Sequence, residues 1–259
     1  MMKNTILLTL CSLTFMGCTT DDDSVPSELY NPSAIIVYCQ ATSDAPLKTV
    51  TYKYAGDKLL TETTMQNGAL QSETAFDYNS QNQIISELYF SDSIKIEKTF
   101  LYNENNQLIN ILYKFRNYDS DGKLIDESDS EARKEYENNK LVKEWEYWGG
   151  FSTYEYNNGK LSTRIDYTKN AEKHHITAYK YAKDFLIEEQ KETKLGGLIY
   201  QKSFEYDSQN RLVIIRDGEN IIEENKYAEN KLLEKRTNYF GIDPGFDVCY
   251  GNYIYKFEY

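Results

Sequence analysis

The sequence predicts an all-β fold: an antiparallel repeat sheet of stacked β-hairpins, single-layered and twisted or curled toward a barrel. One observation behind this is a recurring grammar of a Tyr, four or five mostly polar residues and then an aliphatic residue, in nine copies. They run Tyr54 to Leu59, Tyr78 to Ile84, Tyr102 to Leu108, Tyr118 to Leu124, Tyr136 to Leu141, Tyr156 to Leu161, Tyr181 to Leu186, Tyr206 to Leu212 and Tyr227 to Leu232. Connecting residues such as Asn157-Asn158-Gly159-Lys160 suit hairpin turns, because Asn and Gly enter the left-handed backbone region cheaply. A second observation is a period of two: Tyr52 and Tyr54, Phe76 and Tyr78, Phe100 and Tyr102, and Phe204 and Tyr206 each stand two apart and so share a strand face. The third is that no proline falls between Pro46 and Pro244, so no strand in that span is interrupted. A lone hairpin cannot bury enough surface to stand by itself, so the units must stack into one cooperative domain.

Composition sets the chemistry of that sheet. With 24 Tyr and 11 Phe against 4 Met and 2 Trp, burial falls on rings whose hydroxyls reach water or a polar partner. The net charge of -12 argues against nucleic acid, which needs clustered Lys and Arg to meet phosphates.

Taken in order, residues 1–17 hold Lys3, a mainly apolar run from Ile6 to Met16 and Gly17 before Cys18, which reads as a secretory signal. The run is too short, and too broken by Thr9, Ser12 and Thr14, to span a bilayer as a helix. Phe15-Met16-Gly17-Cys18 resembles the lipobox of bacterial lipoproteins, which implies cleavage before Cys18 and its lipidation. The following Thr19-Thr20-Asp21-Asp22-Asp23 resembles the surface-export signal of Bacteroidota-type lipoproteins and equally suits an acidic, solvated tether. The resemblance implies a lipid-anchored outer-membrane protein facing outward, with a periplasm-facing one as the alternative. Residues 18–47 are expected to be the lipidated Cys and tether, with Ile35-Ile36-Val37-Tyr38 as a first strand, and residues 48–259 the repeat domain.

Cys39 and Cys249 remain in the mature chain, and an exported compartment permits a disulfide between them, while two unpaired buried thiols fit the sequence equally. Neither has a neighbouring His or basic residue to mark a nucleophile.

Two copies of the repeat carry a further resemblance. Phe204-Glu205-Tyr206-Asp207-Ser208-Gln209-Asn210-Arg211-Leu212 and Tyr118-Asp119-Ser120-Asp121-Gly122-Lys123-Leu124 resemble the YD repeats of the RHS family. That resemblance covers about 200 residues as a repeat pattern. It implies a long antiparallel sheet coiling into a shell, often around a toxin, although this chain has no toxin-sized extra domain. The last segment, Tyr253 to Tyr259, sets four aromatics on one face and reads as a closing strand.

Few constellations carry chemistry. Asn117 to Gly122 looks like a calcium loop, but Ser128 stands where a bidentate Glu is needed, so the turn reading prevails. His174 and His175 are adjacent and on a strand would point to opposite faces, a poor metal pair. With no metal site, no cofactor motif, no phosphate loop and no nucleophile elbow, the chain is expected not to be an enzyme. The distinctive stretch is Glu144 to Phe151, where Trp145 and Tyr147 would share a face, the Gly149-Gly150 pair turns the chain, and Trp148 completes an aromatic platform beside carboxylates. Such a platform stacks on sugars, or it packs a hairpin corner. Phe240 to Phe246 is a second irregular stretch, a lid or a cap on the sheet's end. The sequence thus points to a non-enzymatic, lipid-anchored surface protein acting as a repeat scaffold or binding surface. Its alternatives are a glycan-binding lipoprotein using Trp145, Tyr147 and Trp148, or an RHS toxin-associated repeat protein. The partners implied are the membrane through Cys18 and a glycan or another surface protein.

Overall fold

The computed structural model describes residues 31–39, 46–238 and 253–259. The leader and Cys18, residues 40–45, and residues 239–252 with Cys249 and the Phe240 to Phe246 stretch lie outside the described residues, as does the side chain of Cys39.

Eighteen strands and no helix are present among them. They are β1 (Ala34–Cys39), β2 (Pro46–Ala55), β3 (Lys58–Gln66), β4 (Ala69–Tyr78), β5 (Ile84–Ser91), β6 (Ile94–Tyr102), β7 (Leu108–Tyr118), β8 (Leu124–Glu137) and β9 (Lys140–Trp145). The second half comprises β10 (Phe151–Asn157), β11 (Lys160–Tyr167), β12 (Lys173–Ala182), β13 (Phe185–Thr193), β14 (Leu198–Tyr206), β15 (Leu212–Asp217), β16 (Asn220–Ala228), β17 (Lys231–Thr237) and β18 (Tyr253–Glu258). Every strand pairs antiparallel with the next, and β18 pairs with β1, Ile35 facing Phe257 and Val37 facing Tyr255. The expected hairpin sheet is therefore closed into a barrel, which removes all sheet edges. The first strand is part of that closure, so the sheet begins at Ala34, ahead of the expected boundary at 48.

The repeat grammar builds one rim. In an up-and-down barrel alternate turns fall at the same end, and eight of the nine Tyr-to-aliphatic copies lie at one end, which we call the tyrosine rim. The Tyr118 to Leu124 copy joins β7 to β8 and lies at the opposite, plain rim. Each Tyr sits at a β-bulge, as between Glu205 and Tyr206, and in a series along the tyrosine rim the hydroxyl donates to the carbonyl of the aliphatic that landed the previous turn. Tyr78 reaches Leu59 at 2.9 Å, Tyr102 reaches Ile84 at 2.8 Å, Tyr136 reaches Leu108 at 3.0 Å, and Tyr156 reaches Leu141 at 2.9 Å. Tyr206, Tyr227 and finally Tyr259 continue the series to Leu186, Leu212 and Leu232. The bulge interrupts the backbone ladder, and the hydroxyl takes up a carbonyl beside the interruption. Where a Lys or Arg precedes the aliphatic at the tyrosine rim it covers the next ring: Lys140 stands 5.1 Å from the Tyr156 centroid, Arg211 4.6 Å from Tyr227 and Lys231 4.7 Å from Tyr259. Turn chemistry follows the sequence, with Asn82, Asn106, Asn210 and Gly159 at positive φ. At the plain rim, Asp119 closes its turn by accepting from the amides of Asp121 and Lys123, which engages the supposed calcium ligand in an ordinary hairpin.

Directly paired residues point to the same side, so register sorts the side chains into two faces. Ile35, Val37, Val50, Ile111, Ala132, Lys134, Ser152 and Thr177 are buried on one face, the inner wall; of the buried residues only Ala34 lies on the other. The sole compact apolar cluster among the described residues is at the closing seam, where Ile35, Val37 and Val50 pack under Tyr52, Tyr253, Tyr255 and Phe257. Elsewhere the inner wall mixes rings with ion pairs such as Lys98 with Glu87 at 2.6 Å and Lys235 with Glu223 at 2.7 Å. Across β6, β7 and β8 the outer wall is strongly charged: Arg116 bridges Glu97 and Glu127, and Lys114, Asp129, Glu131 and Arg133 flank them. A bilayer-spanning barrel needs an outward apolar band about 25 Å tall, and this charged patch interrupts any such band over β6 to β8. The most exposed large apolar side chains gather at the plain rim: Leu195, Ile125, Trp148 and Leu198.

Candidate functional site

The largest irregularity in the wall surrounds the turn between β9 and β10, where pairing is confined to Phe151 with Trp145, Ser152 with Glu144 and Thr153 with Lys143. β9 ends at Trp145, and residues 146–150 form a turn closed by Glu146 and Gly150 backbone bonds, with Gly149 at a φ of 96°. This early ending divides the aromatic platform expected from the sequence. Trp145 faces outward, its ring covered by the Arg133 guanidinium at 4.1 Å and the Lys143 ammonium at 4.3 Å. Tyr147 turns to the other side and packs on the inner-wall rings of Tyr113 at 5.1 Å and Phe115 at 5.7 Å. Trp145 and Tyr147 therefore do not share a face, because the strand periodicity that would align them stops between them. Trp148 stands at the plain rim, edge-on to Tyr147 at 5.3 Å and 63% exposed, and is the member of the trio with an open ring face.

Below Trp148 the inner wall opens into a cavity of about 460 Å³, within the usual range for small-ligand sites. Its floor is built from the paired inward positions of β10, β11, β12 and β13. Asp166 is the hub: its Oδ1 accepts from Ser152 Oγ at 2.9 Å and Arg164 Nε at 2.7 Å, and Lys191 Nζ lies 3.3 Å from its Oδ2. Arg164 also donates from Nη2 to Ser152 Oγ at 3.2 Å and stands 4.0 Å from Glu146. Behind this floor, Glu144 joins buried Lys134 at 2.7 Å and accepts from the Tyr154 hydroxyl at 2.7 Å.

Burial and pairing compete over the charge of these groups. Burial disfavours the ionised forms of Asp166 and Glu144, but Arg164 and Ser152 at the first and Lys134 and Tyr154 at the second outweigh it, so both carboxyls are held below their ordinary range. Burial pushes the Glu146 carboxyl up, with the neighbouring Glu144 charge adding to it. Burial also lowers His175, helped by Lys191 and His174, which keeps its imidazole neutral near pH 7.

The two histidines depart from the sequence expectation. A register shift pairs Asp166 with His175 and Tyr167 with Lys173, so His174 is an extra residue and the two rings stack at 3.7 Å on the cavity wall. Among the described residues no group of three or more His, Cys, Asp or Glu is placed to share a metal ion. Arg164, Asp166 and Lys191 had no local signature as a group, since they converge from two hairpins, Arg164 and Asp166 on β11 and Lys191 on β13. The one signal available was parity, which puts Arg164 and Asp166 on a single strand face.

No family model matches the chain, and no curated protein matches it. Among solved structures the chain is similar to the TcdB2-TccC3-Cdc42 complex at 11% identity and a TM-score of 0.30, over 76% of this chain and 12% of that one. It is similar to a porin-like protein from Bacteroides uniformis at 13% identity and a TM-score of 0.41, over 66% of this chain and 93% of that one. A third likeness is to the Photorhabdus luminescens Tc holotoxin pore, at 13% identity and a TM-score of 0.29, over 74% of this chain and 12% of that one. The chain thus spans 12% of the length of the first of these. These are partial and distant likenesses.

Proposed function

We propose that the protein is a non-enzymatic, lipid-anchored protein of the outer-membrane surface, whose barrel is the scaffold for a saccharide-binding mouth at the plain rim. The observation that carries this reading is the open face of Trp148 above a cavity floored by Arg164, Asp166, Ser152 and Lys191. An aromatic face meets the apolar side of a pyranose, and a fan of charged and hydroxyl groups meets its hydroxyls. One fact supports a binding rather than a catalytic site. Both oxygens of Asp166 are engaged by Ser152, Arg164 and Lys191, which leaves it a poor base. Anchorage at Cys18 rests on the resemblance of Phe15 to Cys18 to a lipobox, and the charged outer wall favours a tethered barrel over a spanning one. β1 enters at the tyrosine rim, so the mouth opens at the end opposite the tether. The toxin-associated alternative rests on the repeat resemblance alone.

The test is saccharide binding by the purified mature chain, on a glycan array and then by titration calorimetry. Trp148→Ala is expected to abolish binding without lowering Tm, while Trp145→Ala leaves binding intact. An array without signal, or equal binding by both variants, overturns the reading.

A further inference from the structure

The charges around the cavity are unequal in a telling way. In a chain of net charge -12, the lining carries Arg164, Lys169 and Lys191 against Asp166 and Glu146. Asp166 is consumed in holding Arg164 and Lys191 in place. Arg164 spends Nε on Asp166 and Nη2 on Ser152, which leaves Nη1 without a partner among the described residues. Among the described residues Lys191 has Asp166 as its one ion-pair partner, and Lys169, beside the Gly149 turn, has none. Glu146 offsets little of this, since it lies 4.0 Å from Arg164 and burial favours its neutral form. Donors thus remain open on three cations, all within the cavity that Trp148 overhangs.

We propose that the occupant of this cavity is an acidic saccharide, one sugar ring stacking on Trp148 while its carboxylate is received by Arg164, Lys169 and Lys191. This rests on the saccharide reading above. The guanidinium, pinned by Asp166 and Ser152, is pre-oriented for a carboxylate, and the two ammonium groups supply charge without fixed geometry. A neutral sugar of the same shape would leave these cations desolvated and unmatched, which is the larger source of discrimination.

The experiment uses matched probes on the mature chain by titration calorimetry: oligogalacturonate with its methyl ester, oligomannuronate with oligomannose, and sialyllactose with lactose. At least one acid is expected to bind, with its neutral counterpart weaker by about tenfold or more. Lys169→Gln, at the exposed edge, and Arg164→Lys, which keeps the charge but loses the fork, are each expected to narrow that gap, with Tm followed to separate misfolding from lost recognition. Neutral sugars binding as well as acids would overturn the proposal and leave the saccharide reading standing. No binding by any probe would sink both.

Discussion

At the scale of single residues, the tyrosine hydroxyls do different jobs according to rim. The Tyr206 hydroxyl donates to Leu186 at 3.0 Å, whereas the Tyr118 hydroxyl, in a copy that shares the Tyr-Asp-Ser start and the closing Leu, makes no hydrogen bond to a described residue. Tyr206→Phe should therefore cost about 1 kcal/mol, and Tyr118→Phe should stay within about 0.5 kcal/mol, in urea unfolding of the two variants. Equal costs would show that the ladder contributes nothing. Glu62 gives a pH dependence with a definite sign. Its carboxyl is raised by burial on the inner wall, lowered by Lys48 and raised again by Glu87. A raised acid contributes stability that is present below its unfolded pKa, about 4.3, and lost as pH rises through the folded value. Ionising Glu62 is disfavoured in the folded state, so Glu62→Gln should have the higher Tm at pH 7, with the gap closing below about pH 4. A gap that persists in acid would point to a packing effect instead.

Among elements, the hairpins divide into those whose glycine serves the backbone and those whose glycine serves a neighbour. Gly159 has a φ of 86° and open space around a would-be Cβ, so Gly159→Ala meets only backbone strain of about 1–2 kcal/mol. Gly150 is different: a Cβ there would lie 3.0 Å from Trp148 Nε1 and 3.0 Å from the Tyr167 carbonyl oxygen. Gly150→Ala should displace the Trp148 ring, shift its fluorescence in a Trp145→Phe background and weaken saccharide binding, while Gly159→Ala lowers Tm and spares binding. Unchanged fluorescence in Gly150→Ala would mean that the indole is not seated on this turn. The rim assignment of the turns was legible in their spacing. Tyr102 to Tyr118 is 16 residues, enough for one strand, and the other intervals between neighbouring copies at one rim accommodate two. That Trp145 and Tyr147 part company was not legible, because it depends on where β9 stops, and strand ends answer to pairing partners rather than to local alternation.

For the whole molecule, closure substitutes for a core. A strand spacing of about 4.8 Å around 18 strands gives a perimeter of at least about 86 Å, too wide for side chains to fill. Stability then rests on backbone ladders, wall-wide ion pairs and the seam, where Val37 is 1% exposed. Removing β18 would bare the edges of β17 and β1 and strip Tyr253, Tyr255 and Phe257 from Ile35 and Val37. A chain ending at residue 252 should lose its cooperative unfolding transition and associate through those edges in light scattering. A monomer of unchanged Tm would mean that closure is dispensable. The sequence by itself determined the strands, the hairpin turns and the shared faces of the paired aromatics such as Phe204 and Tyr206, because these follow from periods of two and from residues that accept positive φ. It left open whether the sheet stays twisted or closes, and closure is seen only where β18 pairs with β1. Only the tertiary structure decided which turns share a rim with Trp148 and which charges meet beneath it. Arg164, Asp166 and Lys191 become neighbours through cross-strand register, and register is set by bulges and by closure, neither of which any single hairpin contains.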